Sequence, residues 1–316
     1  MSLRTYEVDL FESSRGRLEA IAYRLLGSAG DAEDAVQEAF LRWHAADRDL
    51  IGTPEAWLTK VLTNLCLNQL TSARARRETY VGQWLPEPVL AGDRMLGPAD
   101  TAEQRESVSI AMLTLMERLS PNERAVYVLR EAFGYAHREI AEILDLTEAN
   151  CQQIHRRAKQ HLSTDRARTE VDAAAARKVV EEFLAAALSG DTEPLIRLLT
   201  DDAVSVADGG AKVRARRTPV IGALGIARYL RGLFRPGEAK RAQVGGEGRV
   251  AFHAVVANGG PAALIAVGER VLGVICLAPT PEGVGAIHIQ VNPDKLERVT
   301  RRWAAAGPHR PLVEIW

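Results

Sequence analysis

Cysteine is scarce in this chain of 316 residues, long apolar runs are missing, and net charge is almost nil. Each shortage excludes something. The three cysteines, Cys66, Cys151 and Cys276, are far apart and odd in number, which excludes a disulfide framework and a zinc cluster and fits a reducing compartment. No segment approaches the roughly 18 uncharged apolar residues of a membrane span, and the N-terminal residues have no apolar core of signal-peptide type. The expectation is a cytoplasmic protein without a membrane partner. Even the run VLGVICLA at 271–278 is short and reads as a buried strand. Glycine and proline, at 25 and 14 residues, are not in excess, so a disordered or fibrous chain is excluded and a packed core is expected. Forty basic residues face 41 acidic ones, for a net charge of -1. No global positive field exists to hold polyanions without specificity.

What is present is a change of grammar along the chain. Residues 8–77 read as nearly continuous helix, broken near Gly27-Ser28 and Gly52-Thr53-Pro54, with apolar residues such as Leu18, Ile21, Leu25 and then Trp57, Leu58, Val61, Leu62 at three- and four-residue spacing. Thr53 and Pro54 supply an N-cap and first-turn pair. From Tyr80 the periodicity stops, and prolines and glycines mark an interdomain linker. Trp84, Leu85 and Val89 are too apolar for a solvated tether, so this linker is expected to dock. Helices resume at 102–165, opened by the capping signal Ser120-Pro121-Asn122-Glu123. The last two, His137 to Leu144 and Glu148 to about Leu162, are joined by Asp145-Leu146-Thr147, which is helix-turn-helix spacing. After Ala173 come a helix at 173–189 and a short one at 193–199. Strands are then expected at 203–207, 212–216, 249–257, 262–267, 270–277 and 285–291. Helices followed by antiparallel strands imply an α+β domain.

The second helix of the helix-turn-helix turns Cys151, Ile154, Ala158 and Leu162 inward. Asn150, Gln152, Gln153, His155, Arg156, Arg157 and Lys159 are then outward. Amides suit adenine edges and the cations suit guanine or phosphate, so this face fits a major groove; the plainer reading is a solvated amphipathic surface. Asp34, Gln37 and Glu38 form an acidic outward face on another helix, which repels DNA and suits a basic protein partner. Asn64 and Asn68 share a helix face that ends in Arg74, Arg76 and Arg77. Such a set suits an extruded base and its backbone, although arginines at a helix C-terminus also compensate the dipole.

Together the segments DAEDAVQEAFLRW (31–43), PEAWLTKVLTNLCLNQL (54–70) and LSPNERAVYVLREAFGYAHREIAEILDLTEANCQQIHRRAKQHL (119–162) resemble the two conserved regions of an extracytoplasmic-function RNA polymerase sigma factor. The resemblance implies a multidomain chain of two all-α sigma domains followed by an α+β domain. Residues 1–79 would be the region 2 bundle, binding core RNA polymerase through Asp34, Gln37 and Glu38 and the -10 element of promoter DNA through Asn64, Asn68, Arg74, Arg76 and Arg77. The loop 46–54 would lie near the flipped base. Residues 80–105 would be the linker, and 106–166 the region 4 helix-turn-helix that reads the -35 element. Two departures stand out. Asp145 occupies a turn position where glycine is usual, and asparagine and aspartate tolerate the left-handed conformation there. Gln152 stands where arginine is frequent.

Residues 172–316 narrow the resemblance. WLPEP (84–88), DGGAK (208–212) and NPDKL (292–296) look like the subgroup whose members carry a SnoaL-like, NTF2-type cone domain as a C-terminal extension. Ala211 departs from the usual glycine. The resemblance implies that Trp84, Leu85, Pro86, Glu87 and Pro88 dock near Asp208, Gly209, Gly210 and Lys212, with Asn292, Pro293 and Asp294 at the same place, and that the extension regulates the chain in cis. Asp208 and Lys212 are expected to pair. Within strand patterns, His253 and His288 have no partners at catalytic spacing, so they read as structural and the chain as a non-enzyme. No catalytic residue, metal site or cofactor is expected. A small-molecule ligand of the cone is a further partner to test, and oligomeric state is not legible. The alternative function is a one-component helix-turn-helix regulator with an effector-binding cone, which has no use for the acidic helix at 31–43. Divided along the chain, the net charge is -2 for residues 1–80, -3 for 81–170 and +4 for 171–316. The neutral total is a cancellation, so it argues only against unaided, nonspecific binding.

Overall fold

The computed structural model describes residues 5–78, 80–162, 173–234 and 249–315, with side chains of 5 and 73–78 and of 173 left out. The chain forms two compact units. One contains residues 1–79 and 92–165; the other contains 80–91 and 166–316.

The first unit is all helical. Helices α1 (Thr5–Leu26), α2 (Ala29–Ala45) and α3 (Pro54–Glu78) pack together and bury Leu18, Ile21, Leu25, Val36, Leu58 and Leu62. Their breaks fall where turn chemistry requires. Gly27 takes a positive φ of 68°, and Ser28 caps α2 by accepting the Asp31 amide at 3.2 Å. Helix α3 begins at Pro54, with the Thr53 carbonyl accepting the Trp57 amide. Next come the short helices α4 (Ala102–Glu106) and α5 (Ile110–Met116), then α6 (Pro121–Tyr127), α7 (His137–Leu144) and α8 (Glu148–Leu162). Ser120 and Glu123 close the expected capping box at the start of α6. A single π turn over Val128–Ala132 ends it.

Two buried arginines join the halves of this unit. Arg24 donates from Nε to Ser107 Oγ at 2.8 Å and from Nη2 to the Leu96 carbonyl at 2.6 Å. Arg124 donates to the Arg24 carbonyl from Nε at 3.2 Å and Nη2 at 3.1 Å, and from Nη1 to Glu117. Burial holds Arg24 down to about 10 and Arg124 down to about 9, so both stay protonated at neutral pH. A buried guanidinium is tolerable only when its donors are satisfied, and here backbone carbonyls supply the acceptors.

The second unit is built on a seven-stranded sheet in the order β2-β1-β6-β5-β4-β3-β7. Its elements are α9 (Ala173–Leu188), α10 (Glu193–Leu198), β1 (Leu199–Asp208), β2 (Val220–Ile221), α11 (Ala223–Phe234), β3 (Val250–Ala257), β4 (Gly260–Val267), β5 (Arg270–Thr280), β6 (Gly283–Gln290), α12 (Pro293–Ala305) and β7 (Val313–Ile315). Helices α9 and α11 lie on the sheet, and Phe183, Leu184, Ile226, Leu230, Phe234, Phe252, Ile275 and Ile287 pack the interior between them. Helix α12 packs on β5.

Two strand expectations need correction. Residues 212–216 form an exposed loop and no strand, because the turn at 208–212 folds the chain back on itself: Lys212 and Val213 both donate their amides to the Gly209 carbonyl at 3.0 Å. The sheet is also not wholly antiparallel, since β1 runs parallel to β6 with Asp208 beside Gln290.

Candidate nucleic-acid interface

The helix-turn-helix forms as its sequence dictates. Asp145 ends α7 in the left-handed conformation (φ 54°, ψ 46°), which lets α8 start three residues later. Along α8, Cys151, Ile154, Ala158 and Leu162 are buried, while Asn150, Gln152, Gln153, Arg156, Arg157 and Lys159 are exposed. The exposed set presents amide and cationic donors on one helix. An open pocket of about 400 Å³ lies against it, lined by His137, Gln152, His155, Arg156, Lys159 and Gln160.

His155 departs from the expected outward position. Its ring is only partly exposed and is held at both nitrogens, with Nε2 2.8 Å from Glu131 Oε1 and Nδ1 3.3 Å from His137 Nε2. A carboxylate only accepts, so Nε2 carries the proton toward Glu131, and the other nitrogen shares a hydrogen bond with the His137 ring. Lys159 Nζ approaches the other Glu131 oxygen at 3.5 Å. His155 thus braces α8 against the π turn that carries Glu131. Hydrogen bonding by His155 holds the Glu131 carboxyl below its usual range, and burial pushes the His137 imidazole down.

In the bundle half of the same unit, Asp34 and Gln37 are exposed on α2, and Glu38 is half-exposed and paired with Arg42 at 3.0 Å. Asn68 is exposed on α3 and Asn64 partly so. The side chains of Arg74, Arg76 and Arg77 lie outside the described residues. Ahead of α3, residues Ala46, Asp47, Leu50, Ile51, Gly52, Thr53 and Trp57 line an open pocket of about 480 Å³. Trp57 packs on Trp43, with ring centroids 5.7 Å apart. An aromatic wall with loop backbone around it offers an unstacked base both stacking and hydrogen bonds. Lys60, one turn further along α3, donates to Asp145 Oδ1 at 2.5 Å and to the Glu142 carbonyl at 2.9 Å, tying α3 to the helix-turn-helix turn.

In the second unit, segment 80–91 runs from the ends of β1 and β6 to the β3–β4 turn. Its centre is Asp208, a carboxylate with no exposed surface. Asp208 accepts from the Tyr80 hydroxyl at 2.6 Å, the Leu85 amide at 2.9 Å, the Gly210 amide at 3.0 Å, Gln290 Nε2 at 3.3 Å and Lys295 Nζ at 2.8 Å. Leu85, Pro86 and Pro88 are buried, and Trp84 and Glu87 partly so. Beyond them, Val89 and Asn258 exchange two hydrogen bonds, and Leu90 bridges to Ala257.

The expected Asp208–Lys212 pair does not form. Lys212 pairs with Asp294 at 2.6 Å, both exposed, because the tight turn carries it away from the carboxylate. Asp208 pairs instead with Lys295, which sequence reasoning passed over. A signal was available: Lys295 lies on the buried stripe of α12 with Val299 and Trp303, at spacing where an apolar residue belongs. Tyr80 and Gln290 were also missed. Asn292 caps α12 by accepting the Asp294 amide and donates to the Tyr80 hydroxyl at 3.0 Å, with Pro293 in the first turn. Glycine is required at 210, where φ is 58° and a Cβ would come 2.2 Å from Asn292 Nδ2, and at 209, where it would come 2.2 Å from the Val213 carbonyl oxygen. Both histidines of the strands are buried. His253 stacks edge-on against Trp303, with centroids 4.7 Å apart.

Family models for Sigma-70 region 2 and Sigma-70 region 4 match residues 10–76 and 109–162. Among curated relatives, the ECF RNA polymerase sigma factor SigJ of Mycobacterium tuberculosis is 38% identical over 230 residues, covering 72% of this chain and 73% of the relative. The probable ECF RNA polymerase sigma factor SigI of the same species is 31% identical over 295 residues, covering 91% and 93%. The crystal structure of the M. tuberculosis extracytoplasmic function sigma factor SigJ matches with a TM-score of 0.69 at 31% identity, over 92% of this chain and 98% of that one.

Proposed function

Since the chain belongs to the extracytoplasmic-function sigma factors, which direct core RNA polymerase to promoters, we propose that its second unit regulates that activity in cis through the docked segment 80–91. In this reading residues 1–79 hold polymerase through Asp34, Gln37 and Glu38. They capture the -10 element with Asn64, Asn68, Arg74, Arg76 and Arg77, and the flipped base enters the pocket beside Trp57. Residues 106–166 read the -35 element through Asn150, Gln152, Gln153, Arg156, Arg157 and Lys159, with His155 as a positioning residue. Residues 172–316 form the regulatory domain, and the protein works in the cytoplasm as a transcription factor without catalytic chemistry of its own.

The observation that carries the regulatory reading is the Asp208 centre. A flexible connector of this length would let its two ends sample many separations. Fixing Leu85, Pro86 and Pro88 on the second unit takes the connector between the two promoter readers out of free solution and couples the second unit to any rearrangement of them. Run-off transcription with core polymerase tests this, comparing the full chain with Asp208→Asn and Trp84→Ala. Output that changes by several-fold in either direction supports regulation, and unchanged output from variants shown to release the segment refutes it.

A further inference from the structure

Several basic side chains of the second unit are held in ion pairs. Arg177 pairs with Glu181 at 2.8 Å, Arg197 with Glu193 at 3.9 Å, Arg249 with Glu314 at 3.2 Å, Lys212 with Asp294 at 2.6 Å and Lys295 with Asp208 at 2.8 Å. Residues 209–234 break this pattern. Besides Lys212 the stretch carries Arg214, Arg216, Arg217, Arg228 and Arg231 and not one aspartate or glutamate. All five arginines are exposed, and among the described residues none has an acidic partner within ion-pair distance.

The fold gathers them at one edge of the sheet. Strand β2 is the outermost strand, the loop 209–219 leads into it and α11 follows it. Helix α11 buries Ala223, Ile226, Ala227, Leu230 and Phe234, which turns Leu224, Arg228 and Arg231 outward at positions i, i+4 and i+7. The loop and this helix share the same side of the sheet edge: Ala215 and Tyr229 both pack against the core of the second unit, and the Arg216 charge acts on the Tyr229 hydroxyl. The gathered cations are all arginine, whose planar fork matches phosphate oxygens. They spread over a loop and a helix stripe, which suits a repeating polyanion better than a small anion.

We infer that this face of the second unit is a sequence-independent surface for the phosphate backbone of duplex DNA. Promoter DNA is a polyanion that the sigma function already brings to the chain, which favours it over an acidic protein as the occupant. Each phosphate neutralised releases a condensed counterion, so the contact has a measurable salt signature. It is independent of the regulatory role of segment 80–91.

The test uses the full chain and a random-sequence duplex without promoter elements, with binding followed by fluorescence anisotropy between roughly 50 and 200 mM salt. Replacing the five residues together (R214Q, R216Q, R217Q, R228Q, R231Q) is expected to weaken binding at least tenfold at low salt. It also flattens the slope of log K against log salt by up to about 4.5, at about 0.9 per contact. Replacing all five with lysine keeps most of the slope. R228E with R231E, confined to the exposed stripe of α11, gives the same direction of change in a variant that leaves the loop untouched. Gln-variant affinity and slope within twofold of the parent, at an unchanged unfolding midpoint, overturn the inference. So does a defect seen only when core polymerase is present, which would assign the face to an acidic protein surface.

Discussion

Lys295 Nζ lies 2.8 Å from Asp208 Oδ2 and 4.2 Å from the centre of the Trp84 ring. One ammonium thereby ties the extension's sheet, its last long helix and the docked segment together, and it also donates to the Leu85 carbonyl at 2.7 Å. Removing one partner of a buried pair leaves the other uncompensated, at about 3–5 kcal/mol. Asp208→Asn should therefore lower the stability of the second unit by that order in denaturant unfolding and open residues 80–91 to amide exchange. A variant that unfolds at the parent's denaturant midpoint with segment 80–91 still protected would contradict the assignment.

Ala211 sits at φ 61°, a conformation that costs a side-chain-bearing residue roughly 1 kcal/mol. Ala211→Gly should raise stability by about that amount, which thermal unfolding can resolve. Gly210→Ala should do the reverse and by more, because the new methyl would drive into Asn292.

Acid should loosen the helix-turn-helix. Burial, then the neighbouring His155 and Arg130 charges, hold the His137 imidazole below its ordinary 6.5, against smaller opposing effects of Glu148 and Glu131. Between 6.5 and that lower folded value the unfolded chain binds more protons, so stability falls as pH falls through this window. Glu131 adds a second loss at lower pH, since its carboxyl is held down in the fold and its contribution disappears as pH falls through that depressed value. His137→Gln should flatten the first window only, as read by unfolding at closely spaced pH values. An unaltered pH profile would rule the linkage out.

On α8 the side chains should separate by type. Arg157→Ala should weaken binding to all duplexes alike, whereas Gln152→Ala should relax preference at one base position by about 1–3 kcal/mol. His155→Ala should lower affinity for the right and wrong sequences together, because it shifts the helix and reads no base. Competition binding with single-base-substituted -35 duplexes distinguishes the three.

Trp57→Ala should spare promoter binding and impair opening. Loss of one stacking wall costs about 1–3 kcal/mol per base. Permanganate reactivity of the -10 thymines should drop by tenfold or so while closed-complex affinity holds; equal losses in both would refute a base-capture role.

Helix boundaries from Ser120 to Leu162 were legible because capping residues and a 3.6-residue apolar period agree there. The buried stripe of α8 followed residue by residue. Legibility failed where partners are distant in sequence. Asp208 and Lys295 are 87 residues apart, and the nearer Lys212 offered a false match. His155 falls at the margin of the buried stripe, and only the π turn, which has no periodic signature, brings Glu131 to it. Residues 212–216 alternate cation with aliphatic and so imitate a strand, while the turn that excludes them from the sheet depends on two left-handed residues at 210 and 211.

The polypeptide enters the second unit at residue 80, returns to the first at 92 and leaves it again after 165. Extension and connector therefore form one packed object. Cutting the chain after region 4 would not yield a simpler sigma factor, because it would strip the cover from Leu85, Pro86, Pro88 and Val89 and create a sticky apolar strap. A graft of the extension onto another sigma factor must therefore bring residues 80–91 with it, and a chain built without the extension needs the middle of its sequence rewritten as well.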